Sequence, residues 1–314
     1  MTKIIILQGG YNEEHNVSLN TSKEVAKALK KLKINFKVLT VNPITFKNDI
    51  LKFSYDHICF NALHGPFGED GKIQKILKKN KFRVTHSNQT SSSNCFDKIK
   101  SKKIINKLKI SIPKYYIVKI RDINEKYLRK IKLKFAKFIL KPASSGSSNG
   151  LVIIKSKKDL INFFKKIKKF KNNFNQDEKF LIEKYISGKE LTVSILKNES
   201  VYQPLEVTEI VSLNKTYDYQ AKYTKGFSKH FIPARITKKN HKKCLELALK
   251  IHNIFRCNTL SRVDFIFNEK QNKIYFLEIN SQPGMTKLSL LPEQAKFKKI
   301  RFENIVMKLI DNSR

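Results

Sequence analysis

Arg262, Asp264, Glu278 and Asn280 stand in two alternating segments around the polar turn 268–272, the pattern of a β-hairpin. With the turn centred on Gln271, the register sets Asp264 opposite Glu278 and Arg262 opposite Asn280, all four on one face. Two carboxylates and an amide oxygen converging there make a hard-oxygen site that suits Mg2+ held together with substrate phosphates. The plainer reading is a set of cross-strand ion pairs centred on Arg262. That reading leaves two facing acids unexplained, because like charges directly opposite destabilise a sheet.

A second group is Lys141 followed by the small-residue run 142–150, which includes Ser147 and Ser148. Small residues between two strands let backbone N–H groups approach phosphate oxygens, and Lys141 adds charge at the mouth. It does not match the GxxxxGK[ST] phosphate loop, and on its own such a run also fits a flexible turn. Beside a Mg2+ hairpin it fits a nucleotide site. In a third group, Gly9 and Gly10 end a strand and the chain turns into a helix past Glu14. That places Glu14 where open α/β sheets bind ligands, or where an acid simply favours a helix N-terminus; local sequence leaves both open.

The elements that must carry these groups read as α/β. Residues 4–7, 36–41 and 57–63 have the apolar character of strands, and 18–32 and 73–80 the period of helices. The polar run 91–94 predicts a break. A basic helix follows at 98–108, then strands at 115–119 and 138–142, with 151–154 the hairpin partner of the latter. Residues 193–196, 262–267 and 273–279 read as strands of a third region. The division is 1–88, 89–182 and 183–314, with no internal repeat.

Composition bounds the partners. The 314 residues carry 64 Lys+Arg against 26 Asp+Glu, a formal charge of +38. A polycation of that size suggests nucleic acid, but only 8 of the basic residues are Arg, and the lysines are spread along the chain. Lys is a hydrated point charge, whereas Arg is the bidentate reader of bases and phosphates. The reading is a solvated, compositionally drifted surface, with a functional polybasic patch as the alternative. The four cysteines (Cys59, Cys95, Cys244, Cys257) form no CxxC pair and read as reduced, mostly buried thiols. No apolar run is long enough to cross a bilayer, and Lys3 leads straight into the strand-like 4–7 without a leader, so a soluble cytoplasmic protein is expected.

With these residues in hand, the chain resembles the D-alanine–D-alanine ligase family of the ATP-grasp superfamily. The matching pieces run in order over nearly the whole length: GGYNEEHNVSL (9–19), NALHGPFGEDG (61–71), FDKIKSK (96–102), KPASSGSSNG (141–150), IEKYISGKELTV (182–193), YDYQAKY (217–223), SRVDF (261–265) and LEINSQPGMTKLSLLP (277–292). The resemblance implies an ATP-grasp fold of three α/β domains, α+β in the ATP-binding part, with 1–88 the N-terminal substrate domain, 89–182 the central and 183–314 the C-terminal domain, and the nucleotide between the last two. It implies that ATP phosphorylates one D-alanine and that the amine of a second attacks the acyl phosphate, in the service of peptidoglycan synthesis.

The same resemblance supplies roles. Lys98, Lys141 and Ser148 match residues around the ATP phosphates; Glu183, Tyr185, Ile186, Glu190 and Phe276 match the adenine and ribose pocket. Asp264, Glu278 and Asn280 match the ligands of two Mg2+ (or Mn2+) ions. Glu14 matches the carboxylate facing the first D-alanine's ammonium, in a triad with Ser147 and Tyr223. Arg262 and the N–H of Gly284 match an oxyanion hole, Lys222, Ser289 and Leu290 the second substrate's pocket, and His64 a histidine near the first. Residues 217–227 match a closing loop, on which Tyr223, rather than a His, favours an amine acceptor. A homodimer is also implied, with no nucleic-acid partner and no membrane insertion.

Asn12 stands where this family usually has Ser, His86 where Gly is common, and Gln220 where Glu is usual; 256–260 is poor in glycine. Two rival readings are another ATP-grasp carboxylate–amine ligase and a polybasic nucleic-acid-binding protein without catalysis.

Overall fold

The computed structural model describes residues 3–146, 149–212 and 227–314. Its first layer is a parallel sheet in the order β2-β1-β3-β4, formed by β1 (Ile4–Gly9), β2 (Phe36–Val41), β3 (Ile58–Asn61) and β4 (Arg83–Val84). Ile4 to Leu7 are fully buried, as expected of a strand covered on both faces. Helices α1 (His15–Lys31), α2 (Phe46–Ile50) and α3 (Lys72–Lys79) connect the strands. The strand order reverses at β1 and β3, so the loops at their carboxyl ends border a crevice suited to a ligand. Glu14 and His64 lie on those two loops.

Helices α4 (Gln89–Phe96) and α5 (Lys98–Lys107) follow, then an antiparallel sheet ordered β5-β8-β6-β7. It comprises β5 (Tyr115–Lys119), β6 (Phe138–Pro142), β7 (Val152–Ile154) and β8 (Lys179–Lys184), backed by α6 (Glu125–Phe135), α7 (Lys157–Phe164) and α8 (Ile167–Asn172). A third sheet, ordered β11-β10-β9-β12-β13, is built from β9 (Lys189–Asn198), β10 (Val201–Ser212), β11 (Ser228–Phe231), β12 (Leu260–Asn268) and β13 (Lys273–Asn280). Helix α9 (Lys238–Ile254) packs on it, and α10 (Leu290–Phe297) and α11 (Phe302–Asp311) close the chain.

The polar run 91–94 is not a break. It lies inside α4, because Asn88 caps that helix by accepting from the Ser91 N–H and Ser91, Ser92 and Cys95 face inward. Helix α1 begins at His15, three residues before the predicted start; Ser18 sits within it and accepts a hydrogen bond from the Gly9 N–H at 2.8 Å. A division at 182/183 cuts through β8, and Cys95, Ile105 and Ile110 pack into the apolar core of the third sheet rather than that of the second. The two ends of the chain also meet: Leu309 and Ile310 share a core with Ile4, Ile6 and Leu29, and Val84 and Arg314 exchange backbone hydrogen bonds. No helix among the described residues is long and apolar enough to cross a membrane.

Three of the sequence's departures have a backbone consequence. His86 has φ +67°, a conformation in which glycine is unstrained, and Arg256 and Thr259 occupy the same region without being glycine. Asn12 ties the first loop down, donating to the carbonyls of His64 and Pro66 and accepting from the Glu14 N–H. Gln220 lies outside the described residues.

Candidate active site

The hairpin carries one charged wall of the site, with Arg262, Asp264 and Glu278. β12 and β13 pair with Arg262 opposite Asn280 and Asp264 opposite Glu278, the register expected from the alternation. Arg262 grips Asp264 with two parallel hydrogen bonds from one guanidinium edge, Nε to Oδ1 at 2.9 Å and Nη2 to Oδ2 at 2.7 Å. Thr192, facing Asp264 from β9, donates to Oδ1 at 2.6 Å. Glu278 lies 3.6 Å from Lys98 Nζ. Each of the two facing acids therefore has a cation beside it, and a carboxylate's several lone pairs leave further acceptor capacity.

The hairpin register shifts between Asp264 and Phe265, so that Phe265 pairs with Phe276 and Leu277 is the extra residue of a bulge. This corrects the place of Phe276. It turns into the core with Val263, Phe265 and Ile279, is wholly buried, and does not reach the cavity. Leu277 and Ile266 line the cavity instead.

That cavity encloses about 500 Å³ between the second and third sheets, with the crevice loops of the first sheet at one end. Such a volume falls in the range of small-molecule sites. Glu14, His64, Lys98, Lys141, Glu183, Tyr185, Ile186, Glu190, Arg262, Asp264, Glu278, Asn280, Gly284 and Leu290 all line it. Ser289 does not; its hydroxyl accepts from the Thr286 N–H at 3.0 Å. Ser147, Ser148, Lys222 and Tyr223 lie outside the described residues.

Beside the small-residue loop, Asp97 caps α5 by accepting from the N–H groups of Ile99 and Lys100, which fixes Lys98 in the first turn. The Lys98 N–H donates to Ala143 O and its Nζ to Ser145 O at 2.7 Å, docking the helix on the small-residue loop. Lys141 on β6 reaches Glu183 on β8, Nζ to Oε2 at 3.1 Å. Burial alone would push the Glu183 carboxyl up, but the charges of Lys102 and Lys141 outweigh it and hold the group below its ordinary range.

At the crevice end, the Glu14 carboxylate is buried against the backbone of Gly65 and Gly146. Nearby, His64 bridges Thr21 Oγ1 (2.9 Å from Nε2) and Glu69 Oε1 (3.1 Å from Nδ1). Asn61 at the end of β3 donates to Gln282 Oε1 at 2.9 Å, and Gln282 donates back to the carbonyls of Asn61 and Leu63. This buried amide pair links the first sheet to the loop that carries Gly284.

Several lining or supporting groups escaped the sequence reading. Glu209 on β10 lines the cavity, gripped by Arg235 at 3.0 and 2.8 Å, and no motif joins those two positions. Lys102 lies four residues past Lys98, a spacing that puts both on one helix face and was therefore a usable signal. Gln282 sits within 277–292, but nothing local marks its partner.

The family profile described as D-ala D-ala ligase C-terminus matches residues 104–311. The D-alanine–D-alanine ligase of Wolbachia pipientis wMel is 40% identical over 312 residues, covering 99% of this chain and 94% of the relative. That of Pelagibacter ubique (strain HTCC1062) is 42% identical over 308 residues, covering 97% and 95%. Among solved structures, D-alanine–D-alanine ligase from Bacillus anthracis complexed with ATP is similar with a TM-score of 0.78 at 28% identity, covering 99% of this chain and 96% of that one.

Proposed function

The chain belongs to the D-alanine–D-alanine ligase family, and we infer from that premise and from the residues of the cavity how it joins two D-alanine molecules at the expense of ATP. The protein is an ATP-dependent ligase with the ATP-grasp fold. The observation that supports the residue roles is the convergence in one cavity of a carboxylate for an ammonium, lysines for phosphates, and a hard-oxygen face.

In this reading a carboxylate oxygen of the first D-alanine attacks the γ-phosphorus of ATP and ADP leaves, giving an acyl phosphate. The amine nitrogen of the second D-alanine attacks the acyl carbon. The tetrahedral intermediate then expels inorganic phosphate, and the nitrogen gives up a proton. Glu14 holds the first ammonium by a charge-assisted contact. Lys98 and Lys141 hold phosphate oxygens, and Tyr185, Ile186, Glu190, Ile266 and Leu277 border the nucleoside. Arg262 and the Gly284 N–H receive the charge that develops on the carbonyl oxygen. Leu290 borders the second substrate.

Asp264, Glu278 and Asn280 present hard oxygens on one face, a donor set that fits Mg2+ or Mn2+. Bound there, two such ions would neutralise the transferring phosphate and the departing ADP. Ser147, Ser148, Lys222 and Tyr223 keep the roles their motifs suggest. The reading also carries a cytoplasmic enzyme of peptidoglycan precursor synthesis, a homodimer, and no nucleic-acid partner.

Coupled ADP release with D-alanine, L-alanine, D-serine and D-lactate tests it. Turnover should require D-alanine and be sustained by D-alanine alone. Release that needs a different acceptor would replace the substrate assignment, and none with any of the four would overturn the reading.

A further inference from the structure

Lys102 is a lysine with no exposed side-chain surface, and its Nζ lies 3.0 Å from Oε1 of the equally buried Glu183. It does not touch the cavity. The other oxygen of Glu183 faces Lys141 Nζ at 3.1 Å, and Lys141 does line the cavity. One buried carboxylate is thus shared by two lysines, one behind the wall and one on it. Taking an ammonium out of water carries a large desolvation cost, and an apolar side chain of the same length would fill the space behind Glu183 at less cost. A Glu183–Lys141 pair without Lys102 would be electrically closed, with the lysine's charge matched inside the protein. With Lys102 present the three groups sum to one positive charge, and Lys141 is the cation that meets the cavity.

We propose that Lys102 is a positioning residue which neutralises Glu183 from behind and so leaves the charge of Lys141 available to a polyphosphate. The proposal rests on the reading of the cavity as the ATP site. It assigns Lys102 no contact with substrate.

The experiment is a cycle of four proteins: wild type, Lys102→Met, Glu183→Gln and the double variant. Calorimetry reads the affinity of each for inorganic tripolyphosphate, which has no adenine to report on Glu183, and coupled ADP release gives KM for ATP and for D-alanine. Lys102→Met should weaken tripolyphosphate and raise KM for ATP by roughly 10- to 100-fold, the scale of a weakened contact to a charged group, with KM for D-alanine unmoved. In the Glu183→Gln background the same change should cost roughly threefold at most, because no carboxylate then competes for Lys141. Wild-type affinity in Lys102→Met, or a double variant as weak as Lys102→Met, would overturn the proposal. If Lys102→Met does not fold, Lys102→Gln takes its place in both backgrounds, with the same expected and adverse results. Wild-type protein that binds tripolyphosphate but releases no ADP would refute the ligase reading and leave the cycle still decisive for Lys102.

Discussion

Glu14 and Gly146, from the first sheet's crevice loop and the small-residue loop, meet so closely that a β-carbon on Gly146 would collide with Glu14 Oε2. A β-carbon on Gly65 would stand 2.5 Å from the same oxygen. The buried carboxylate is therefore located by two backbone surfaces that only glycine allows to come this near, and its position depends on their having no side chain.

Gly146→Ala should displace Glu14 while sparing the core, since Gly146 lies in a loop between β6 and β7. A displacement of about 1 Å at a substrate-positioning group costs on the order of 100-fold in rate. Steady-state ADP release should fall by about that much with a raised KM for D-alanine, at a nearly unchanged melting temperature. Wild-type kinetics would show that Glu14 has no positional role.

The bulge at Leu277 separates two adjacent apolar residues by function. Phe276→Ala should cost about 3–5 kcal/mol of stability, the price of an aromatic removed from a closed core. Leu277→Ala, on the cavity wall, should leave stability nearly intact and raise KM for ATP. Urea unfolding and ATP titration of both variants check this, and the reverse assignment of effects would restore Phe276 to the site.

That bulge also marks where the sequence was legible and where it was not. Alternation and a polar turn fix the pairing of Arg262 with Asn280 and Asp264 with Glu278, because a one-residue slip would turn a charged face into the core. The same alternation could not reveal the extra residue, since Phe276 and Leu277 are both apolar and either could face inward. Strand β1 was readable from an unbroken apolar run that is buried, and β2, an edge strand buried only at Val41, from its β-branched and aromatic residues. The helix over 89–96 was not, because serines break helices unless, as here, their hydroxyls face other segments: Ser91 Oγ donates to Arg256 O and Ser92 Oγ to Ser87 O. Contacts such as Glu209 with Arg235, or Asn61 with Gln282, join positions far apart in the chain, and only tertiary folding brings them together.

Acid should destabilise the protein well before its carboxylates titrate. Burial pushes His86 down to about 3, with the nearby His64 adding to the effect, and pushes His252 down to about 4. In the unfolded chain both would protonate near 6.5. Their contribution is complete above that pH and is lost as pH falls, because below it the unfolded state binds protons that the folded state refuses. Each histidine adds up to about 1.4 kcal/mol per pH unit between about 6.5 and 4. Urea midpoints should therefore drop from pH 7 to pH 5, and His86→Gln should flatten the slope by one proton; a pH-independent midpoint over that interval would contradict the buried neutral state.

Glu278→Gln should move stability and activity in opposite directions. Glu278 faces Asp264 across the hairpin, and removing one of two directly opposed like charges stabilises a sheet by roughly 0.2–1 kcal/mol. Lys98, 3.6 Å away, offsets part of the repulsion but already donates to Ser145 O and is not held by Glu278 alone. An amide keeps the shape and one oxygen yet loses the charge that a divalent cation needs. ADP release should fall by on the order of 1,000-fold, about 4 kcal/mol of lost transition-state stabilisation. Mn2+ titration should show weakened binding while the metal-free protein melts at the same temperature or slightly higher. Retained Mg2+-dependent turnover would return the hairpin to the plainer reading of cross-strand ion pairs. A lower melting temperature with turnover abolished would mean that the Lys98 contact outweighs the repulsion from Asp264, leaving the metal face in place but reversing the sign of Glu278's contribution to the fold.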